Sequence, residues 1–158
     1  MNIRRAKADD APVVASTLYE AFAEFRAFYT PLAFAATAIS AAEVRARMAE
    51  GPLWVALSDD SICGTVGAFA QESAVLVRGM AVLAIVRGRR IGEALLKQTE
   101  VFAIEHGHQS LRLTTTPFLH SAIRLYERFG FCRVPGDSAE LFGTPVFWME
   151  KKLKSPTE

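Results

Sequence analysis

The sequence is poor in cysteine and carries almost no net charge. Only two cysteines, Cys63 and Cys132, occur in 158 residues, and their spacing is not that of metal ligands. We therefore expect two reduced thiols and no metal site. Eighteen basic residues against 17 acidic ones leave a net charge of +1. This balance gives no electrostatic reason to expect nucleic acid or an anionic membrane as a partner.

Long hydrophobic runs and repeats are also missing. The longest uncharged stretch, Ala27 to Ala42, is too short and too polar to span a bilayer. The first residues, Met1 to Arg5, lead into charged positions rather than an apolar signal segment. These features predict a cytoplasmic protein with no membrane partner. We expect one domain over residues 1–153 and a loose tail at 154–158.

Apolar residues make up 51% of the chain, and their spacing predicts a strand followed by two helices. Asn2–Arg5 is the first strand. An N-cap at Asp9 or Asp10 starts a helix that we expect Pro31 to end. The pair Ser40 and Glu43 has the spacing of a capping box and predicts a second helix to about Glu50.

The middle of the chain predicts an antiparallel meander. Leu53–Leu57 and Ile62–Ala70 flank a hairpin signal, and Ala74–Ile85 forms the next apolar run. Gly79 lies inside that run, where a glycine often marks a β-bulge.

The remaining chain alternates helices and strands. A helix from Ile91 to about His106 is followed by a strand at Leu111–Thr115. Thr116 as N-cap and Pro117 as the first helical residue open another helix, which Gly130 closes. Final strands are expected at Phe131–Val134 and Val146–Lys151. The order βααβββαβαββ predicts a mixed α/β (α+β) domain with one central, mostly antiparallel sheet of about seven strands and four helices.

Three arginines gather where the fourth predicted strand meets the next helix, in the run Arg87-Gly88-Arg89-Arg90-Ile91-Gly92, followed by Glu93. Cations are disfavoured at a helix N-terminus, so an anion bound there would explain the pattern. A solvated basic turn explains it equally well on spacing alone.

The segment from Met80 to Leu95, together with Ala122-Ile123-Arg124-Leu125-Tyr126-Glu127-Arg128-Phe129-Gly130-Phe131, resembles the GNAT superfamily of N-acetyltransferases. The family's signatures are Arg/Gln-x-x-Gly-x-Gly/Ala after the fourth strand and Ala-Ile-x-Leu-Tyr-Glu-x-x-Gly-Phe further on. Both occur here in order, and the predicted elements agree from residue 2 to residue 151.

The resemblance implies acetyl-CoA as co-substrate. Arg87 and Gly92 occupy the first and last positions of the first signature, while Arg90 replaces its middle glycine. Placed in the first helical turn, Arg90 would have ordinary helical dihedrals. The backbone amides of Gly88, Arg89, Arg90, Gly92 and Glu93 would hold the diphosphate. Val82 would pair with the pantetheine arm, and the Met80 N–H would polarise the thioester carbonyl.

Tyr126 is the catalytic residue that the resemblance implies. Its hydroxyl would donate a hydrogen bond or proton to the departing thiolate, as a general acid does. The alternative is that Tyr126 only fills the core face of a helix. His120 lies near a position where many members carry a cofactor-contacting asparagine, and a solvent-facing histidine is the simpler interpretation.

The acceptor side is less defined. The resemblance implies transfer of an acetyl group to a primary amine of a small molecule or peptide by direct attack in a ternary complex. The uncharged segment Phe28–Phe34 favours a small, partly apolar amine, although core packing explains it equally well. No acid lies on the fourth strand, so Glu20, Glu24, Glu72 or water remain as the base. A homodimer is possible. The rival hypothesis is a catalytically silent acyl-CoA-binding module that serves as a sensor or partner domain.

Overall fold

The computed structural model describes residues 2–154 and contains one seven-stranded sheet. Its strands lie in the order β1-β2-β3-β4-β5-β7-β6. Every neighbouring pair is antiparallel except β4 and β5, which run parallel. The mixed, mostly antiparallel sheet of seven strands is thus confirmed. Of the predicted tail, residues 155–158 lie outside the described residues.

The strands agree closely with the predicted runs. Their bounds are β1 Asn2–Arg5, β2 Leu53–Ser58, β3 Ser61–Ala70, β4 Ala74–Val82, β5 Ser110–Thr115, β6 Cys132–Leu141 and β7 Thr144–Lys152. The prediction was wrong at the end of β4, because Ala84–Val86 turns into a 3-10 helix and leaves Ile85 83% exposed. The first final strand was also predicted too short, since β6 continues to Leu141.

Five α-helices are present among the described residues, one more than predicted. They are α1 Ala11–Ala23, α2 Pro31–Thr37, α3 Ala41–Glu50, α4 Ile91–Glu105 and α5 His120–Phe129. None of them is both long and apolar enough to cross a membrane.

Two predicted helix boundaries are wrong. Pro31 begins α2 instead of ending α1, because Thr30 caps the helix by accepting a hydrogen bond from the Ala33 N–H at 3.2 Å. Thr116 and Pro117 do not open α5. They belong to a separate turn, in which the Leu119 N–H donates to the Thr116 carbonyl at 3.3 Å, and the helix begins at His120.

Other local signals behave as expected. Ser40 and Glu43 form the capping box of α3, with hydrogen bonds of 3.1 and 3.2 Å. Asp59 and Asp60 both have positive φ in the β2–β3 turn, as a two-residue hairpin requires. Gly79, with φ +65°, lies where the register between β3 and β4 shifts, so the predicted bulge is confirmed.

Apolar side chains fill both faces of the sheet. On one face α4 and α5 cover a core that contains Leu95, Leu111 and Phe131; on the other, Val14 of α1 and Val44 of α3 pack on the first strands. Full burial of a side chain such as Leu95 stabilises the fold by about 1.5–3 kcal/mol. The two layers therefore hold the ends of β4 and α4 in fixed positions.

Candidate active site

A gap opens between β4 and β5 near the middle of the sheet. The two strands pair only at Ala74–Ser110, Val75–Leu111 and Leu76–Arg112. Beyond Leu76 no described pair joins them, although β5 continues to Thr115 beside β7. Two parallel strands that separate in this way expose backbone groups along both sides of the gap, so an extended ligand arm can pair with them.

The edge of β4 that faces the gap carries Met80 and Val82. The next residue, Leu83, donates its N–H to the Cys63 carbonyl of β3 at 2.9 Å. Successive N–H groups point to opposite sides of a strand, so the Val82 N–H points away from β3 and toward the gap. The same alternation directs the Met80 N–H toward the gap, just after the Gly79 bulge.

The arginine-rich turn follows β4 and its 3-10 turn and is exposed from Arg87 to Arg90. Gly88 has φ +87° with open space around it, which suits a close ligand approach. Arg90 is the N-cap of α4, with φ 62° and ψ 22°. The prediction of ordinary helical dihedrals for Arg90 was wrong, because the chain enters α4 through the left-handed region that glycine favours.

Gly92 is required for the packing of α4 against its neighbours. It is buried, and a Cβ atom built there would lie 2.7 Å from Leu125 Cδ2 and 3.1 Å from Met80 Cε. The glycine therefore lets α4 approach α5 and the end of β4. Glu93, in the first turn, is exposed.

The Arg87 side chain connects three parts of the site. Its Nε donates to the Val82 carbonyl at 3.4 Å, and its terminal nitrogen donates to Glu24 Oε1 at 3.1 Å. Glu24 follows the last residue of α1, so this pair links the turn to the segment after α1. Arg89 faces elsewhere, and lines an open cleft beside the β2–β3 hairpin with Asp59 and Asp60.

Tyr126 lies on α5, next to Leu125, and only 7% of its surface is exposed. Burial raises its pKa well above the ordinary value, and a nearby Tyr29 raises it further by charge repulsion. The ring packs edge-on against Phe131 at 5.8 Å, so Tyr126 also belongs to the core. Its hydroxyl stays protonated over the physiological range and can act as a donor.

Tyr29 is a second buried tyrosine near the site, and its position could not be inferred from spacing. Burial raises the pKa of Tyr29 to about 12, although hydrogen bonding with the hydroxyls of Thr116 and Thr37 opposes that shift. A periodic pattern could not reveal Tyr29, because it lies between helices and not on a helix face.

An aromatic cluster surrounds Tyr29. The Phe118 ring packs edge-on against Tyr29, with 4.9 Å between the ring centroids. Its centroid lies 5.4 Å from that of Phe28 and 6.2 Å from that of Phe25. The β6–β7 turn closes over this cluster, because the Thr30 hydroxyl donates to the Phe142 carbonyl at 2.7 Å. The segment after α1 thus forms an apolar wall with exposed rings, among them Phe28 at 64%.

The remaining sequence candidates lie apart from this arrangement. His120, the first residue of α5, is exposed. Glu72 belongs to the turn before β4, roughly 25 Å along the strand from Met80 at about 3.3 Å per residue. Across residues 2–154 no cluster of three His, Cys, Asp or Glu side chains has a geometry suited to a metal ion.

Comparison with known proteins identifies the family. The model of the acetyltransferase (GNAT) family matches residues 16–131, and the chain belongs to this family of acetyltransferases. That match covers both ends of the gap, from the end of β4 through Tyr126.

Two curated relatives share 35% identity with part of the chain. One is a probable N-acetyltransferase family 8 member 5 from Mus musculus, aligned over 91 residues, 54% of this chain and 40% of the relative. The other is an N-acetylaspartate synthetase from Danio rerio, aligned over 83 residues, 51% of this chain and 29% of the relative. The chain thus spans less than half the length of these relatives.

A solved structure supports the fold over its full length. The PaiA N-acetyltransferase from Thermoplasma acidophilum, determined in complex with coenzyme A, superposes with a TM-score of 0.82. The match covers 96% of this chain and 98% of that one at 17% identity. At this identity the likeness concerns the fold alone.

Proposed function

We propose that this protein is an N-acetyltransferase that moves the acetyl group of acetyl-CoA to a primary amine by direct attack in a ternary complex. The observation that carries the proposal is the gap between β4 and β5, which ends at the exposed turn Arg87–Arg90 and the N-terminus of α4. One end of the gap suits a diphosphate, and its edges suit an extended arm.

Acetyl-CoA would lie along this gap. The amides from Gly88 to Glu93 would hold the diphosphate, helped by the helix dipole and by the guanidinium groups of Arg87 and Arg90. The backbone of Val82, which faces the gap, would pair with the pantetheine arm. These roles rest on the orientation of the strand edge and on the open turn.

The thioester would lie beside the Gly79 bulge. There the Met80 N–H would donate to the carbonyl oxygen and stabilise the negative charge that develops when the amine attacks. The amine must be neutral to attack, and the described part of β4 carries no acid that could deprotonate it. Glu24 is engaged by Arg87, Glu72 is remote, and Glu20 lies on the exposed face of α1, so we propose that water accepts the proton and passes it to the solvent.

Tyr126 would stabilise the leaving thiolate. A coenzyme A thiol has a pKa of about 8.5 and an unperturbed tyrosine about 10, so proton transfer from tyrosine to thiolate is already uphill. Burial raises the Tyr126 pKa and makes that transfer less favourable still. We therefore assign Tyr126 the role of a hydrogen-bond donor, with the amine's own proton reaching the thiolate later.

The proposal also covers the extent of the catalytic domain and the location of the protein. We propose that residues 1–153 act as one catalytic domain, since residues 2–154 contribute to one sheet and its covering helices. A cytoplasmic location accords with two cysteines that form no disulfide.

A thiol-release assay tests this function. Purified protein is mixed with acetyl-CoA and a panel of primary amines, and release of coenzyme A is followed together with the mass of the acetylated amine. Amine-dependent thiol release with matching product supports the enzyme. Tight binding of acetyl-CoA without turnover on any amine would instead support the rival, an acyl-CoA-binding module.

A further inference from the structure

Arg47 on α3 is a half-buried cation that forms no ion pair with any residue in the described range 2–154. It lies in the last turn of the helix, and its side chain turns toward the sheet. One terminal nitrogen lies 3.4 Å from the position that a Cβ atom would take at Gly79. The guanidinium therefore rests against the β4 bulge, one residue before Met80.

The nearby carboxylates are already engaged. Glu50 accepts a hydrogen bond from Arg78 at 3.0 Å, and Glu43 accepts one from the Ser40 N–H at 3.1 Å. No ion pair among the described residues includes Arg47. Burial, and after it the like charge of Arg78, lowers the pKa of Arg47, and Glu43 and Glu50 only partly oppose this.

An arginine cannot lose its proton at physiological pH, so its charge has to be compensated in another way. A half-buried cation next to a second cation is costly unless an anion joins it. A planar guanidinium matches a carboxylate especially well, because two parallel N–H groups reach its two oxygens. The arrangement therefore has the form of a carboxylate-binding corner.

The cavity at this corner sets the size of the anion. It lies under α1 and α3 beside the bulge and encloses about 10 Å³. Arg47, Arg78 and Thr65 form its polar side, and apolar residues, among them Val14 and Leu53, form most of the rest. That volume holds about one water-sized group, so one carboxylate oxygen could enter the cavity while the second oxygen and the rest of the acceptor stay outside it.

The corner is adjacent to the proposed reaction centre. The Cα atoms of Gly79 and Met80 are about 3.8 Å apart, as in any trans peptide. An amine next to the thioester at Met80 could therefore place a carboxylate a few bonds away near Arg47. The aromatic cluster of Phe25, Phe28 and Phe118 would meet the apolar part of the same molecule.

From these contacts we infer that the acceptor is a small amine bearing a carboxylate, such as an amino acid with an apolar side chain, and that Arg47, helped by Arg78, binds that carboxylate. This inference rests on the proposed acetyltransferase function and names its acceptor class. Arg47 is then a specificity-determining residue.

Matched acceptors test the inference. Leucine, methionine and phenylalanine are each compared with their amide and with the decarboxylated amine, and kcat/KM is corrected to the free-amine fraction. The acids are expected to exceed their amides at least tenfold. Arg47→Gln should raise KM for the acids at least tenfold and leave the amides unchanged, while Arg47→Lys restores part of the preference. Arg45→Gln, an exposed arginine on the same helix, is the control and should match the wild type.

Two results would overturn the inference: equal kcat/KM for acids and amides, or a loss in Arg47→Gln that is the same for both. If no amine releases thiol, the proposed function fails. The affinity for N-acetylphenylalanine is then compared with the affinity for its amide by calorimetry, which tests the carboxylate corner separately. Tighter binding of the acid that Arg47→Gln abolishes supports the carboxylate corner, and equal binding refutes it.

Discussion

Gly92 on α4 and Leu125 on α5 are so close that a side chain at position 92 would force Leu125 to shift. A Cβ atom on Gly92 would lie 2.7 Å from Leu125 Cδ2, and the Met80 side chain approaches from the β4 side at 3.1 Å. Because Tyr126 follows Leu125, this contact fixes the distance between the arginine-rich turn and the proposed donor. The packing glycine is therefore part of the site's geometry.

Replacing Gly92 by Ala tests this contact. The clash with Leu125 should cost about 1–3 kcal/mol, offset in part by roughly 1 kcal/mol from the better helix propensity of alanine. We expect lower stability in urea unfolding and a lower kcat. The double variant Gly92→Ala with Leu125→Ala should show coupling, since it removes the clash. If the Gly92→Ala protein were as stable as the wild type, the side chains of Leu125 and Met80 could shift at little cost, and the contact would not restrain the site.

Tyr126→Phe removes the proposed donor and keeps the ring that packs against Phe131. We expect kcat to fall by at least tenfold, because one preorganised donor to a developing anion contributes roughly 10²–10³ in related sites. Affinity for acetyl-CoA, measured by calorimetry, should change little. The control is Tyr19→Phe, whose exposed hydroxyl accepts a bond from Arg26. An unchanged kcat in Tyr126→Phe would leave the tyrosine as a core residue only.

Arg90→Gly should relieve backbone strain. A left-handed conformation costs a non-glycine residue about 1–2 kcal/mol, and glycine avoids this cost. Glycine also lowers the free energy of unfolding by roughly 0.4–1 kcal/mol, because the unfolded chain gains conformational freedom. Arg89 has no positive φ, so Arg89→Gly suffers the second effect alone. The free energy of unfolding of Arg90→Gly should therefore exceed that of Arg89→Gly by about 1 kcal/mol. A reversed order would mean that the Arg90 side chain makes a compensating contact.

Much of this architecture follows from the sequence, since alternating periods and turn residues specify five of the seven strands to within two residues, all but β4 and β6. The capping box at Ser40 and the bulge at Gly79 are local signals, and local signals are what a sequence displays. The predicted dihedrals of Arg90 and the predicted helix end at Pro31 were wrong for the same reason. Their effect depends on the conformation of the preceding chain, which the sequence pattern leaves undefined. The closeness of Arg47 to Gly79 arises from the packing of α3 on the sheet, so no spacing rule reveals it.

The ion pair between Arg87 and Glu24 predicts that removal of the Glu24 charge increases the affinity for acetyl-CoA. Glu24 holds the Arg87 guanidinium, which a diphosphate would otherwise attract. Glu24→Gln should therefore lower the Kd for acetyl-CoA a few-fold, with a smaller change at high salt because exposed charges are screened. Glu20→Gln, on the exposed face of α1, serves as the matched control. Weaker binding in Glu24→Gln would mean that the pair preorganises the turn instead.

Tyr29 predicts a loss of stability in alkaline solution. Its pKa is about 12 in the folded protein and near 10 in the unfolded chain. Below pH 10 both states keep the proton, so this group adds no pH dependence. From pH 10 to 12 only the unfolded state loses it, and the free energy of unfolding falls as pH rises. Tyr29→Phe should show a shallower fall over this window in urea unfolding. An identical slope would contradict the assigned pKa.

The central claim is that the end of β4 and the turn before α4 hold acyl-CoA. Titration of acetyl-CoA into ¹⁵N-labelled protein, followed by amide NMR, tests it residue by residue. We predict the largest shifts at the amides of Gly88 to Glu93 and at Met80 and Val82. Shifts confined to Asp59 and Asp60 in the cleft beside the β2–β3 hairpin, or no saturable shift at all, would contradict the account.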